Sequence, residues 1–236
     1  MIVMGLDFET SGMDPLVHSV TEVGAAMWDT DLHMPVRLMG YLVYDPAAVW
    51  QDGASDCSGV TQELCRRYGK DSESVLRMLA TWYGQCDAVC AHNGNSFDRL
   101  FWEAWCERLG YGHAKDENKV WIDTMTDTEL PPEWSRKLPY LATHYGFTNP
   151  FPHRAVFDVL TMLRILDCQN LNRVMELAKS PSILVQALVP FERKDEAKAR
   201  GYWWEADNRR WVKRMKAVQA ESEQQAAGFP VKILRK

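Results

Sequence analysis

The 236-residue sequence predicts an α/β fold, a mixed sheet with helices on its faces. Three observations carry that expectation. Near the N-terminus three short apolar segments follow one another with brief connections, the pattern of an antiparallel meander. After residue 72 helical and extended periodicities alternate, which adds parallel strands and covering helices. Beyond residue 167 the character changes, and a small α+β module rich in basic residues and Trp follows.

Each element has its own signal. Residues 2–8, 20–28 and 39–44 read as strands, the first of them buried. Residues 45–69 are polar and turn-rich, a loop with short helix. Val75, Leu76, Leu79 and Trp82 stand at helical spacing within residues 72–83. Residues 87–91 form a short apolar strand. Ser96 is placed to cap a helix that runs to residue 109 and closes at Gly110. Residues 119–122 add a strand, and 138–145 and 156–167 read as helices. Ser180-Pro181-Ser182 reads as a linker and 184–190 as a strand. Residues 193–200 read as a short basic helix stopped by Gly201. Residues 215–227 read as an exposed polar helix or frayed tail. The expected domains are therefore 1–178 and 184–236.

Composition narrows the class. The chain is 46% hydrophobic and 25% charged, ordinary for a soluble globular protein. A body of this length buries a full core without staples. No apolar run approaches the ~18 residues of a membrane span. The first ten residues reach Asp7 and Glu9 with no basic segment, unlike a signal peptide, and the expected compartment is the cytoplasm. Six cysteines include no Cys-x-x-Cys pair, so reduced thiols are expected rather than zinc. The net charge of −5 is uneven: residues 1–190 hold 15 basic and 25 acidic side chains, residues 191–236 hold 12 and 7. A uniformly basic nucleic-acid binder is excluded, but a basic appendage on an acidic body is not.

Three short motifs carry candidate chemistry. Asp7 and Glu9 stand two apart in the first strand, so both carboxylates project from one face. Adjacent carboxylates repel unless a cation sits between them, and oxygen ligands suit Mg²⁺ or Mn²⁺. His92-Asn93-Gly94-Asn95-Ser96-Phe97-Asp98 follows a strand and opens a helix, where α/β sheets place ligands. His153-Arg154-Ala155-Val156-Phe157-Asp158 sets a histidine five residues before an aspartate at a helix start. Taken singly, each has an ordinary structural explanation: a solvated strand end, helix-dipole capping, a surface His and Asp.

Together, and in this order, the three motifs resemble those of the DEDDh branch of the 3′–5′ exonucleases. The resemblance covers roughly residues 1–170 and extends to Thr21-Glu22-Val23-Gly24-Ala25, Ile122-Asp123-Thr124 and Lys137-Leu138-Pro139-Tyr140-Leu141. It implies a ribonuclease-H-like fold. It also implies that Asp7, Glu9, Asp98 and Asp158 hold two Mg²⁺ ions, which Mn²⁺ can replace, and that His153 is the general base. The implied reaction is stepwise release of 5′-mononucleotides from a nucleic-acid 3′ end. By the same resemblance Thr10, Met13, Asn93 and Phe97 contact the terminal nucleotide. Glu22 and Asp123 are assigned to structure and His92 to hydrogen bonding, while His18, His33, His113 and His144 have no spacing partner. Single-stranded DNA is the favoured substrate. The alternatives are an exoribonuclease, and a non-catalytic nucleic-acid-binding or adaptor protein on the same fold. A polymerase or repair partner and a homodimer are further expectations.

The C-terminal pattern Phe191-x-x-Lys194-Asp195-x-Ala197-Lys198-x-x-Gly201-x-x-Trp204-x6-Trp211 is similar to a small module of unassigned role in phage and bacterial proteins that handle nucleic acid. Arg193, Lys194, Lys198, Arg200, Arg209, Arg210, Lys213 and Arg214 interleave with Trp203, Trp204 and Trp211. Such a mixture fits a single-strand-binding surface. The expectation here is that the Trps are mainly core and that the cations are left to contact phosphate.

Overall fold

The computed structural model describes residues 1–112, 118–131 and 133–235; His113 lies outside them. The chain forms two compact units, one of residues 1–128 with 135–171 and one of residues 129–134 with 172–236.

The first unit begins with β1 (Ile2–Thr10), β2 (Val20–Asp29) and β3 (Met34–Tyr44). Two short helices follow, α1 (Ser55–Ser58) and α2 (Gln62–Tyr68), then β4 (Lys70–Asp71) and α3 (Ser72–Gln85). Next come β5 (Ala88–Ala91), a 3₁₀ turn at Gly94–Ser96, α4 (Asp98–Arg108) and β6 (Val120–Asp123). The unit closes with α5 (Leu138–His144) and α6 (Ala155–Asp167). The sheet order is β4-β3-β2-β1-β5-β6. β1, β2 and β3 form the antiparallel meander, and β5 and β6 add in parallel beside β1. This mixed, helix-flanked sheet is the expected ribonuclease-H-like architecture.

Alternation along β1 sorts its side chains between two layers. Met4, Leu6 and Phe8 enter a core with Leu76 and Leu79 of α3 and Phe101 and Trp102 of α4. The other face receives α6. A Cβ on Gly5 would stand 2.6 Å from Leu163 Cδ1, and one on Gly24 would stand 2.2 Å from the Ala155 carbonyl carbon. Gly24 is paired with Asp7 across β1 and β2. Two missing side chains therefore let α6 rest directly on the sheet, its start beside Asp7.

Several local expectations need correction. β3 starts five residues before the expected 39: residues 34–38 pair with β2, although Met34, Val36 and Leu38 are exposed. Ser96 is not the helix cap: it ends the 3₁₀ turn, and Phe97 (φ −138°, ψ −76°) precedes α4 with no capping side chain. His33 has a partner, Asp167, whose Oδ1 lies 2.7 Å from its Nδ1, a pairing 134 residues apart that spacing cannot reveal.

The second unit holds α7 (Leu171–Lys179), β7 (Ser182–Ala187), a 3₁₀ turn at Phe191–Arg193 and α8 (Lys194–Ala199). It continues with β8 (Trp203–Glu205), β9 (Arg210–Lys216), α9 (Ala220–Ala226) and β10 (Val231–Arg235). The strands form an antiparallel sheet in the order β10-β7-β9-β8. Its core comprises Ile183, Val185, Ala187, Ala197, Tyr202, Met215, Ala227 and Phe229.

Four expectations change here. Residues 180–182 are not a loose linker: the Pro181 carbonyl and Ser180 Oγ accept from the amides of Ala217 and Val218, and Ser182 opens β7. β7 ends at Ala187 rather than 190. Of the two readings of residues 215–227 the helix holds for 220–226 and the frayed tail does not, since β9 runs through Lys216 and α9 buries Glu223 against Arg200 at 2.9 Å. Trp203 and Trp204 are not core. They lie on the edge strand β8, 47% and 48% exposed, because Tyr202 and Phe229 fill the interior in a T-shaped pair. Of the three Trps only Trp211 packs against that core.

Among the described residues no helix is long and apolar enough to cross a membrane.

Candidate active site

β1 keeps strand geometry through Thr10, so Glu9 lies within the strand and shares its face with Asp7. That is the face on which α6 lies, and Asp158 sits in the first turn of α6. The two elements open onto a cleft of about 630 Å³. Asp7, Glu9, His153 and Asp158 form its acidic part. Arg136, Lys137, Leu138, Pro139 and Tyr140, with Met125, His92 and Pro152, form the rest.

Glu9, His153 and Asp158 each offer a ligand atom within 4.8 Å of the other two. Asp7 brings another carboxylate to the cleft. Asp98 is buried and is not among the lining residues; its Oδ1 accepts from the Phe8 amide at 3.0 Å, which ties α4 to β1 next to Asp7.

The electrostatics are those of an overloaded acidic site. Burial, then Asp98, Asp158, Glu9 and Glu22, hold the Asp7 carboxyl well above the usual carboxylate range. Glu9 is pushed up to about 8, by burial first and then by Glu22, Asp158 and Asp98, with Arg154 opposing. Asp98 is pushed up to about 7 by burial, against hydrogen bonds from the Phe8 amide and its own. Burial also raises Asp158, while the His153 amide, His153 itself and Asn149 oppose it. Four carboxyls here resist simultaneous ionisation, and a cation among them relieves both desolvation and repulsion. Carboxylate oxygens with one imidazole are a donor set that fits a hard divalent ion.

The supporting residues give the site its shape. The Asn149 side-chain amide donates to Asp158 Oδ1 at 2.6 Å, and the His153 backbone amide donates to Oδ2 at 2.8 Å. His153 reaches that bond through a left-handed backbone (φ 62°), uncommon outside glycine. The next residue, Arg154, grips the buried Glu22 carboxylate with Nε at 3.0 and 3.1 Å from its two oxygens. His92 bridges Thr124 Oγ1 and the Arg136 carbonyl, each at 2.8 Å. The carbonyl can only accept, so Nε2 carries the proton and the threonine hydroxyl donates to Nδ1. Burial lowers the His92 pKa and keeps the ring neutral. Asp123 accepts from the amides of Asn93, Asn95 and Met125, which fixes the turn leading to Asp98.

The four residues expected at the terminal nucleotide have partners of their own. Thr10 Oγ1 donates to the Gly12 carbonyl at 2.6 Å, and the Met13 amide donates to Gln51 Oε1 at 3.2 Å. Asn93 caps the turn in a left-handed conformation, and Phe97 packs on Phe101 with ring centroids 4.8 Å apart. None of the four lines the cleft. Arg136, Lys137 and Tyr140, which do, were not among the expected site residues, although Lys137-Leu138-Pro139-Tyr140-Leu141 formed part of the resemblance.

The exonuclease family RNase_T matches residues 4–166. The PolC-type DNA polymerase III of Thermotoga maritima is 28% identical over 163 residues, 65% of this chain and 10% of that polymerase. The chain thus spans about a tenth of the length of the curated relatives it matches. Among solved structures, E. coli exonuclease I in complex with a dT13 oligonucleotide aligns with TM-score 0.59 at 14% identity, covering 79% of this chain and 48% of that one. The nuclease domain of 3′hExo, a DEDDh family member bound to rAMP, aligns with TM-score 0.56 at 18% identity, covering 70% and 90%. With the carboxylates, histidine and sheet order in place, the chain belongs to the exonuclease family.

Proposed function

We propose that this chain is a 3′–5′ exonuclease that hydrolyses phosphodiester bonds at free 3′ ends, favours single-stranded DNA and releases 5′-mononucleotides. The observation that carries the reading is the convergence of Asp7, Glu9, His153 and Asp158 in one cleft. In this reading residues 1–178 are the catalytic domain and 184–236 an auxiliary module.

Asp7, Glu9, Asp98 and Asp158 would hold two Mg²⁺ ions, with Mn²⁺ able to substitute. Bound there, the ions supply a more acidic water and charge neutralisation at the scissile phosphate. His153, exposed in the cleft, accepts the proton of the attacking water. The hydrogen bond its backbone amide donates to Asp158 keeps base and carboxylate in fixed relation. Arg136 and Lys137 bring positive charge to the substrate backbone, and the 58% exposed Tyr140 offers a ring to a base. Thr10, Met13, Asn93 and Phe97 contact the terminal nucleotide, Met13 and Asn93 being exposed for it. The polymerase among the relatives supports a polymerase or repair partner.

RNA is the second reading, supported by the rAMP bound to 3′hExo. One experiment separates the two: matched single-stranded DNA, duplex DNA and RNA, each labelled at one end, are incubated with and without Mg²⁺. Stepwise Mg²⁺-dependent shortening from the 3′ end, fastest on single-stranded DNA, is the expected result. Faster RNA shortening reverses the preference. Absence of shortening on all three, with binding retained, points to the non-catalytic adaptor.

A further inference from the structure

The second unit carries exposed aromatic rings that its core does not include. Phe191 is 72% exposed, and Lys194 Nζ lies 3.9 Å from its ring centroid. Lys198, one turn further along α8, places its Nζ 5.7 Å from the Trp211 ring. Trp211 faces Trp204 across β8 and β9, with ring centroids 5.5 Å apart and planes tilted by 55°. Two aromatic–cation groups thus stand on this unit, Phe191 with Lys194 and Lys198 with Trp211 and Trp204, their lysines one helical turn apart on α8.

Cohesion does not explain the exposed rings. The core of the unit is complete in Ile183, Val185, Tyr202, Met215, Phe229 and their neighbours, without Phe191 or Trp204. Both rings remain exposed, an arrangement that favours an external apolar partner with a π-face. The lysines select a partner that is also anionic. Lys198 bonds Asp195 at 3.0 Å, but both side chains are more than half exposed, and such pairs exchange readily for a phosphate.

We propose that Phe191, Lys194, Lys198, Trp211 and Trp204 form a binding surface for single-stranded nucleic acid that shares no residue with the cleft of the first unit. Unpaired bases stack on the rings, and the lysines contact the phosphates between them. Duplexes, whose bases are stacked inward, do not fit it. The surface needs no metal and no turnover, so it stands or falls independently of the exonuclease reading.

The test is fluorescence anisotropy of 5′-labelled (dT)20 and (rU)20, and of a duplex of equal length, with the full chain in EDTA. The wild-type chain is expected to bind both single strands more tightly than the duplex. The F191A/W204A variant should raise Kd for the single strands by about tenfold or more. K194A/K198A should make the slope of log K against log salt shallower by about 1.4, the value for two phosphate contacts on a single strand. Melting curves of both variants should match wild type. Unchanged affinity in folded F191A/W204A overturns the proposal, as does equal binding of the duplex. Loss of Mg²⁺-dependent shortening with this binding intact would instead refute the reading of the cleft.

Discussion

The Arg154 guanidinium holds both oxygens of the Glu22 carboxylate, a side chain only 4% exposed and one of the groups that raise Glu9. Arg154 follows His153 directly, so one ion pair anchors the histidine loop to β2. Removing one partner leaves a buried charge beside an already repulsive cluster. Arg154→Met should destabilise the protein by about 2–4 kcal/mol, below the full buried-pair cost because the arginine is half exposed. The double change Arg154→Met with Glu22→Met should recover most of that loss. Urea unfolding of the three proteins measures it, and a double variant as unstable as the single one contradicts the account.

Asp7 is a metal ligand in the proposed reaction, and burial with its carboxylate neighbours holds its carboxyl well above the usual range. Asp7→Ala should abolish Mg²⁺-dependent shortening of a labelled strand. Asp7→Asn, isosteric and neutral, should raise the melting temperature in EDTA by about 2–4 °C, the equivalent of about 1 kcal/mol at this chain length. Activity retained by Asp7→Ala at saturating Mg²⁺ would remove it from the ligand set.

The raised carboxyls fix a pH dependence. In the unfolded chain Asp and Glu titrate near 3.8 and 4.5; in the fold Glu9 reaches about 8, Asp98 about 7, and Asp7 and Asp158 also rise. Through that window the folded state binds more protons than the unfolded state. Stability contributed by these groups is therefore present at low pH and lost as pH rises. In EDTA the melting temperature should fall between about pH 5 and about pH 8. Mn²⁺ should restore more stability at the upper end, because fewer protons must leave. Calorimetry in buffers of different ionisation enthalpy should register proton release on Mn²⁺ binding; none at pH 7 is the contrary outcome.

His153 offers a ring nitrogen near Glu9 and Asp158, so base and ligand roles must be separated. As a base, His153→Ala should lower turnover about 10²–10⁴-fold. Mn²⁺ affinity should change by less than about threefold, against the 10–100-fold typical when a group that supports a metal is lost. A fall in affinity parallel to the fall in rate would make the histidine a ligand instead.

The acidic half of the site was legible because strand alternation is strict: two residues apart on β1 means one face, and Asp7 and Glu9 obey it. The helix-start aspartates were legible by position. Arg136, Lys137 and Tyr140 were not, because they reach the cleft by tertiary placement, with the Arg136 carbonyl fixed by a His92 bond spanning 44 residues. Ser96 misled because a strong capping residue is overruled when Asp98 itself anchors the helix start to the Phe8 amide. Trp203 and Trp204 misled because large apolar residues are read as interior, and here Tyr202 and Phe229 already occupy it. β10, five residues long, was not read as a strand and is held by pairing with β7.

The path of the chain bears on inheritance. Residues 129–134 belong to the second unit although both flanking stretches belong to the first. Glu129 accepts from Arg173 at 2.8 and 2.9 Å, and Leu130 is 8% exposed. A chain ended at residue 171 keeps this excursion but loses the arginine it answers to. The strands of sequence that follow it carry Arg136 and Lys137 of the cleft. The chain enters the second unit twice, so one recombination joint cannot exchange that unit cleanly, and descent should have carried both together.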